Sequence, residues 1–425
     1  MRAKTTKGFA GKGIVRILWV KAGKLLPADT GGKIRSYNIL KHLTGSHEIT
    51  LLSYYGGKRD PVYESDIQQV FPGARTVFTA APDGTSFGEF FQYTRGLFQP
   101  APFAVAKFTN PQVQREVRRV IDRGEADVAV CDFLSASQNF PRLLTLPTVL
   151  FQHNVETTLW RRMAAAESNP IKRLGYRVEA AKMNRREREA IGHFHHVIAV
   201  SEHDRRQMRE MFPGGRISVV PTGVDTEKYS VAPPSRSDPP RIVFTGSMDW
   251  EPNIDAVQYF CEQIFPIVRS AVPEAVFQIV GRQPHPKVKR LASDSVLVSG
   301  TVPSVAEYLR DATVVVVPLR IGGGTRLKIF EAMAVGKAMV STTIGAEGLD
   351  VQNGRDLILA DTPAAFADAT VSLLLNHGLR RRYEQAAVSL AAQHDWSRIA
   401  LQFAAVLHNT VQAFRSSLTA QKAQP

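Results

Sequence analysis

The segment IGGGTRLKIFEAMAVGK, residues 321–337, combines residue types that bind an anion. Its glycines follow the apolar run VVVVPL and precede a helical pattern, so unhindered backbone N–H groups would meet a positive helix end there. Arg326 and Lys328, on either side of Leu327, add positive charge. A tight turn from a strand into a helix explains the glycines equally well, and both interpretations stay open on the local sequence.

Glu331 follows Lys328 by about one helical turn. A carboxylate early in a helix is stabilised by the helix dipole, which needs no ligand. The functional alternative is a carboxylate that accepts two hydrogen bonds from a vicinal diol such as ribose, because an ionised carboxylate only accepts.

Two common nucleotide-binding motifs are excluded at this segment. A Walker A loop needs Ser or Thr after its Gly-Lys pair, but Ala338 follows Lys337, and Glu331 stands where the first glycine is required. The spacing of a GxGxxG dinucleotide fingerprint is also missing.

Two further segments carry candidate residues. In LLPADTGGKIRSYNIL, Gly31 and Gly32 open a predicted helix after the first strand, and Lys33 and Arg35 lie close by. In FQHNVETTLW a predicted strand ends at a cluster of polar residues, and the carboxyl ends of parallel strands are where sites collect in open sheets. Its members are His153, Asn154 and Glu156. A lone histidine is more often structural, so the position alone does not decide its role.

Composition limits the class of protein. Apolar residues make up 44% of the 425 residues and the mean hydropathy is −0.14, which is typical of a globular chain of two domains. The sequence has no apolar run long enough to span a membrane and no signal-peptide pattern. Two cysteines, Cys131 and Cys261, exclude a disulfide framework and favour a reducing, cytoplasmic location.

The formal charge of +14 is concentrated in the first half of the chain. Residues 1–220 hold 33 Lys and Arg against 20 Asp and Glu, whereas the remainder holds 20 against 19. Such a surface suits an anionic substrate or lipid, or is simply solubilising. Nucleic acid is not expected, because no nucleic-acid-binding motif accompanies the charge.

Short β-branched runs alternate with helical patterns, which predicts an α/β protein with parallel sheets. Seven strands are predicted before a Pro- and Ser-rich linker at 222–240, and six after it. We therefore expect two Rossmann-like domains, at 14–221 and 241–396, followed by a last helix at 397–418.

Several motifs occur in an order and spacing that resembles the retaining GT-B glycosyltransferases of family 4, which build bacterial polysaccharides. The resemblance spans nearly the whole chain, and KIFEAMAVGK with TTIGAEGL is its most specific part. The other motifs are PADTGGKIRSYNILKHLTGSHEITLLSY, QHNVET, VSEHDR, VVPTGVDTEKY, FTGSMDWEPNIDA and FQIVG. It implies an acceptor in the N-terminal domain, a nucleotide-sugar donor in the C-terminal domain, no bound metal or other cofactor, and a last helix that crosses back to the first domain.

The resemblance also implies roles for individual residues. Glu331 matches the glutamate that holds the donor ribose. His153 matches a histidine near the transferred sugar and is a catalytic candidate together with Lys328 and Arg326. The remaining donor-binding candidates are Gly31, Gly32, Gly246, Ser247, Gly323, Gly324, Thr325 and Leu327, and the acceptor-side candidates are Lys33, Arg35, Asn154 and Glu156.

Two positions depart from the family pattern. Gly323 stands where many relatives have a glutamate that contacts the donor sugar, and GSMDWEPN replaces a segment that carries a basic pair in many relatives. Arg326 and Lys328 are expected to supply the missing charge. The first departure supports one alternative, a non-catalytic partner in a polysaccharide assembly complex. A nucleotide-sugar 2-epimerase of the same fold is a second alternative, which would need additional acid/base carboxylates in the cleft.

The expected function is metal-independent transfer of a sugar, with retention, to a saccharide acceptor that is lipid-linked. UDP-sugar is favoured over GDP-sugar as the donor. The aromatic segment 87–108 and the basic first half suit peripheral contact with an anionic membrane at its cytoplasmic face. Assignment of the same segment to core and loop is an equally open alternative.

Overall fold

The computed structural model describes residues 13–79, 101–231, 239–321 and 326–422. It divides into two compact units, one of residues 1–221 with 397–425 and one of residues 222–396. Each unit is built on one parallel sheet, which confirms the predicted α/β class.

The described part of the first unit contains seven strands in the order β3-β2-β1-β4-β5-β6-β7. Its strands are β-branched runs whose side chains are buried on both faces, as expected of a parallel sheet covered by helices. They are β1 Arg16–Ala22, β2 Glu48–Tyr55, β3 Arg75–Phe78, β4 Val128–Asp132, β5 Thr148–Phe151, β6 His196–Ala199 and β7 Ile217–Val219.

The helices of the first unit connect these strands. They are α1 Gly31–Leu43, α2 Pro61–Val70, α3 Phe103–Ala106, α4 Pro111–Asp122, a 3-10 helix Leu134–Asn139, α5 Glu156–Ala166, α6 Pro170–His193 and α7 Glu202–Met211. The strand order reverses between β1 and β4, so the carboxyl ends of these two strands flank the crevice where open sheets bind ligands.

Among its described residues, the second unit contains six strands in the order β10-β9-β8-β11-β12-β13, with the reversal between β8 and β11. They are β8 Arg241–Thr245, β9 Val276–Val280, β10 Val296–Gly300, β11 Val314–Val317, β12 Met339–Ser341 and β13 Ile358–Leu359. Its helices are α8 Glu251–Tyr259, α9 Phe265–Ala271, α10 Pro286–Lys289, α11 Val305–Asp311, α12 Leu327–Val335, α13 Pro363–Leu375 and α14 His377–Gln393.

The last helix, α15 Trp396–Lys422, is longer than the predicted 397–418. Its Phe403 packs on the sheet of the first unit, with ring centroids 5.3 Å from Trp19 and 5.1 Å from Phe151. Residues 397–425 therefore belong to the first unit although they end the chain.

Two further features differ from the sequence-based prediction. The predicted helix at 253–271 is interrupted by a π-turn at Phe260–Ile264, just before Pro266, whose missing N–H cannot continue an α-helical ladder. The segment predicted as a linker contributes Val224 and Tyr229 to the core of the second unit.

Candidate active site

In the second unit, the loop after β8 is packed closely against its neighbours. A Cβ on Gly281 would lie 1.6 Å from the Gly246 carbonyl oxygen, so only glycine fits there. A Cβ on Gly246 would lie 2.8 Å from Lys328 Nζ. The two glycines thus let the loop that starts at Gly246 and Ser247 approach the Lys328 ammonium.

Lys328, on the first turn of α12, is held beside this loop. Its Nζ donates to Asn253 Oδ1 at 3.0 Å and lies 4.0 Å from the centroid of the Phe244 ring. Asn253 in turn donates to the Ser247 carbonyl oxygen at 2.8 Å. Burial, together with the nearby charge of Arg326, lowers the pKa of Lys328 to about 7, while Glu331 opposes this shift.

Glu331 lies three residues after Lys328, so the two side chains share one face of α12. Tyr229 donates a hydrogen bond of 3.0 Å to Glu331 Oε1. Burial raises the pKa of Glu331, against the hydrogen bond from Tyr229 and the charges of Lys228 and Lys328. The Tyr229 hydroxyl group occupies one oxygen of the carboxylate, and the other oxygen can still accept a hydrogen bond from a hydroxyl group of a ligand.

Sequence reasoning missed Tyr229 and Arg282 at this site. Arg282 follows Gly281 at the carboxyl end of β9, and its Nε donates to Ser247 Oγ at 3.2 Å. Its Nη2 lies 3.9 Å from Asp249 Oδ2. A cation directly after the glycine of FQIVG was the available signal for Arg282, whereas the Tyr229 contact spans 102 residues and had no local signal.

Three of the predicted donor-binding residues, Gly323, Gly324 and Thr325, lie outside the described residues. Leu327, by contrast, begins α12, and Arg326 precedes it with extended backbone. Among the predicted residues of the second unit, Gly246, Ser247, Lys328 and Glu331 are brought together by the geometry described above.

In the first unit, His153 is buried at the carboxyl end of β5, beside Asp132 at the end of β4. Its Nε2 lies 2.7 Å from Asp132 Oδ1, and Arg35 Nη1 lies 3.4 Å from its Nδ1. A carboxylate accepts and a guanidinium donates, so both contacts require the tautomer with the proton on Nε2. His153 thus presents Nδ1 as an acceptor, on the side where a Cβ on Gly32 would lie 3.4 Å away.

Asp132 links His153 to two more buried groups. Its Oδ2 accepts from Trp19 Nε1 at 2.8 Å and lies 3.1 Å from Lys21 Nζ. Burial alone would raise the pKa of Asp132, but Lys21 and the hydrogen bond from His153 hold it below its ordinary value. Burial, with the charges of Arg35 and Lys21, lowers the pKa of His153 to about 4, although Asp132 opposes the shift. The imidazole is therefore neutral near pH 7.

The other predicted residues of the first unit have different surroundings. Arg35 is buried, and burial lowers its pKa to about 10. Lys33 Nζ turns back to its own loop, 3.0 Å from Asp29 Oδ1 and 3.3 Å from the Pro27 carbonyl oxygen. Gly31 is the first residue of α1.

Glu156 and Asn154 lie at the start of α5, where sequence reasoning also missed a partner. Burial raises the pKa of Glu156, against a hydrogen bond from Asn154. The missed partner is Glu187 of α6, which accepts from the backbone N–H groups of Glu156 at 2.7 Å and Thr157 at 2.9 Å. These two hydrogen bonds cap α5 from a neighbouring helix, and burial raises the pKa of Glu187 to about 7.

The described residues contain no group of three or more His, Cys, Asp or Glu side chains placed to hold a metal ion. No helix among them is long and apolar enough to cross a membrane.

Two parallel α/β units, each with polar residues at the carboxyl ends of its strands, define the GT-B class of fold, which structural neighbours share. A family model described as Glycosyltransferase Family 4 matches residues 31–228, and one described as Glycosyl transferases group 1 matches residues 239–376. The chain belongs to the glycosyltransferases of family 4.

Individual relatives are distant. Phosphatidyl-myo-inositol mannosyltransferase of Mycobacterium leprae is 29% identical over 215 residues, which is 48% of this chain and 56% of that protein. The chain thus spans about half the length of the curated relatives it matches.

Two solved structures show the fold over nearly the full length. Sucrose-phosphate synthase from Thermosynechococcus elongatus has a TM-score of 0.67 and 15% identity, covering 96% of this chain and 100% of that one. HepE from Anabaena, solved with UDP and glucose, has a TM-score of 0.62 and 17% identity, covering 92% of this chain and 99% of that one.

Proposed function

We propose that the chain is a retaining, metal-independent hexosyltransferase that moves a sugar from a nucleoside-diphosphate sugar to a saccharide acceptor in polysaccharide synthesis. One observation carries the proposal, namely the Lys328 ammonium and the Glu331 carboxylate on one face of α12, beside the glycine loop at Gly246. A cation and a diol-binding carboxylate at this spacing suit the diphosphate and the ribose of one donor.

The central chemical demand is stabilisation of the departing diphosphate. Lys328 and Arg326 supply fixed positive charge, and each preorganised donor of this kind is worth about 2.7–4 kcal/mol in a transition state. Since Lys328 is partly deprotonated at neutral pH when no anion is bound, donor binding restores its proton. The leaving phosphate itself accepts the proton of the incoming acceptor hydroxyl.

His153 contributes through its Nδ1 in this proposal. Asp132 and Arg35 select the neutral Nε2–H tautomer, and a hydroxyl of the transferred sugar replaces Arg35 as the hydrogen-bond donor to Nδ1. Gly31 and Gly32 remain predicted contacts of the diphosphate, and Lys33, Arg35, Asn154 and Glu156 remain predicted acceptor-side residues.

UDP is the favoured donor nucleotide, with GDP second. HepE, a structural neighbour, is solved with UDP, whereas the mycobacterial relatives are named as mannosyltransferases, which leaves the sugar open between hexoses. The acceptor proposed here is a lipid-linked saccharide.

Peripheral contact with an anionic membrane, at its cytoplasmic face, is part of the proposal, and α6 supplies the surface. Ile171, Leu174 and Val178 on its N-terminal half are 82%, 62% and 37% exposed. Their spacing of three and four residues places them on one face, and Lys172 and Arg173 lie within the same turns. Exposed apolar side chains among cations are what interfacial anchoring to anionic lipid requires. The predicted segment 87–108 lies mostly outside the described residues.

Calorimetric titration with UDP and GDP tests the donor site. Wild-type protein is expected to bind one of the two nucleotides, and Glu331→Ala and Lys328→Ala are each expected to weaken that binding at least tenfold. Lys289→Ala removes an exposed cation of the same unit as the matched control and should bind as the wild type does. Absence of binding to either nucleotide by the folded wild type would contradict the proposal.

A further inference from the structure

The first unit contains a polar cavity of about 450 Å³ that the sugar-transfer chemistry does not use. It opens between the C-terminal half of α6 and the 3-10 helix that follows β4. Its lining includes four cations, and we call it the arginine pocket. The cations are Arg142, Lys182, Arg185 and Arg186.

Arg186 is the inner cation of the arginine pocket. Its side chain is 21% exposed, and its Nη2 donates to the buried Ser137 Oγ at 2.8 Å. Burial lowers its pKa, and the charge of Glu189 opposes this shift. Its Nε is buried and has no hydrogen-bond partner among the residues that the structure describes.

Carboxylates do not balance these cations. Glu189 is the single acid in the described lining, and it is shared: one oxygen lies 2.9 Å from Arg185 Nε and the other 3.7 Å from Arg186 Nη1. Lys182 is paired with Glu179, at 3.1 Å. The positive charges of Arg142 and of one arginine on α6 therefore have no compensating carboxylate in the described lining. An anion in the cavity would be stabilised by this excess positive charge.

The chemistry of the donors selects the anion. Guanidinium groups present planar pairs of N–H donors that match the oxygens of a phosphate, and the lining places three of them around one cavity. A neighbouring cavity of about 550 Å³ shares Gln138, Phe140 and Arg142 with the pocket, and it adds one cation and one acid, Arg118 and Asp122. This space can hold the organic part of a larger ligand.

We propose that the arginine pocket binds the phosphate group of a phosphate ester, with Arg186 and Arg142 as its main ligands. Two sources share this chemistry, a water-soluble sugar phosphate and the head group of a phosphorylated lipid. The site goes beyond the proposed donor site, because its residues lie on α6 and around the 3-10 helix of the first unit, whereas Lys328 and Glu331 belong to the second.

Inorganic pyrophosphate is the first probe, titrated calorimetrically in the presence of saturating UDP so that a donor site cannot take it up. We expect one pyrophosphate per chain. Arg142→Gln/Arg185→Gln changes only exposed residues and should weaken binding at least tenfold, and Arg186→Gln should weaken it further. Arg188→Gln removes an exposed cation of the same helix that does not line the pocket, and should leave the affinity within twofold of wild type.

Equal affinities in Arg142→Gln/Arg185→Gln and Arg188→Gln, or no binding by the wild type, would overturn the proposal. The comparison between variants stays valid if UDP does not bind, so failure of the donor site and failure of the arginine pocket are distinguishable.

Displacement of bound pyrophosphate separates the two sources. Release by glucose 1-phosphate indicates a soluble sugar phosphate. Release only by phosphatidylcholine vesicles that contain phosphatidic acid, and not by phosphatidylcholine alone, indicates a lipid head group. Release by neither would contradict the assignment of a phosphate ester.

Discussion

The Tyr229 hydroxyl lies 3.0 Å from Glu331 Oε1 and ties the carboxylate of α12 to a segment 102 residues earlier in the chain. This segment precedes β8. The start of the second unit therefore fixes the orientation of the Glu331 carboxylate, which is the group proposed to bind the ribose. Tyr229 is a positioning residue in this arrangement, because it acts through Glu331.

Tyr229→Phe tests this relationship. Loss of a hydrogen bond to a charged group is expected to weaken nucleotide binding about tenfold. Because that hydrogen bond lowers the pKa of Glu331, its removal raises the pKa further and increases the protonated fraction. The ratio of variant to wild-type dissociation constants should therefore be larger at pH 6 than at pH 8, by calorimetry. Tyr308→Phe, elsewhere in the unit, is the control, and a ratio independent of pH would contradict this role.

The titration of Lys328 predicts that nucleotide affinity falls as the pH rises, which is the opposite direction to the effect of Glu331 protonation. Because its pKa in the free protein is about 7, Lys328 loses the positive charge that binds the diphosphate as the pH rises above neutrality. Nucleotide affinity should fall by up to about tenfold per pH unit above 7, with uptake of a proton on binding. Titrations in buffers of different ionisation enthalpy measure that uptake directly. Lys328→Met should abolish it, and proton uptake that persists in this variant would assign it to another group.

The lowered pKa of Lys328 also predicts how the free energy of unfolding of the ligand-free protein depends on pH. Its pKa is lower in the folded state than the ordinary value of 10.5, so the unfolded chain binds more protons between pH 7 and 10. The free energy of unfolding should therefore rise with pH across this range, by at most about 1.4 kcal/mol per unit. Urea denaturation of wild type and Lys328→Met tests this, since the contribution must vanish in the variant.

Asp132→Asn tests the buried network of the first unit. The substitution leaves Lys21 without its carboxylate, and breaking a buried ion pair typically costs about 3–5 kcal/mol. Asp127→Asn is the matched control, because Asp127 pairs with Arg16 at 3.1 Å near the surface, where such pairs contribute about 1 kcal/mol or less. Urea denaturation should separate the two variants clearly, and equal losses would contradict the network.

The exposed face of α6 predicts binding to anionic vesicles. Ile171→Glu/Leu174→Glu should abolish co-sedimentation with phosphatidylglycerol vesicles, because it replaces the apolar side chains and adds negative charge. Leu375→Glu changes a residue of the second unit that is 65% exposed and should bind as wild type. Co-sedimentation unchanged in the double variant would exclude this face.

Local patterns predicted much of this molecule. The β-branched runs and intervening helical patterns yielded seven and six strands, and Gly246 with Lys328 and Glu331 was predicted from motifs within short segments. Three contacts at the sites join residues that lie 31 to 102 positions apart in the chain. They are the contacts of Tyr229 with Glu331, of Glu187 with the start of α5, and of Arg186 with Ser137. Such pairs depend on how helices pack on the sheets, which no local periodicity encodes. The π-turn at Phe260–Ile264 lies inside a continuous apolar pattern of helical period, which does not distinguish a π-turn from an α-helix.

Phe403 of α15 completes the core around Trp19 and Phe151, so the first unit is assembled from both ends of the chain. During synthesis, residues 222–395 of the second unit leave the ribosome before this helix does. The second unit can therefore finish folding while the first still exposes the sheet surface that α15 will cover. While residues 397–422 are still inside the ribosomal exit tunnel, the second unit has fully emerged and the first still lacks its last helix, the reverse of the usual order in which domains mature.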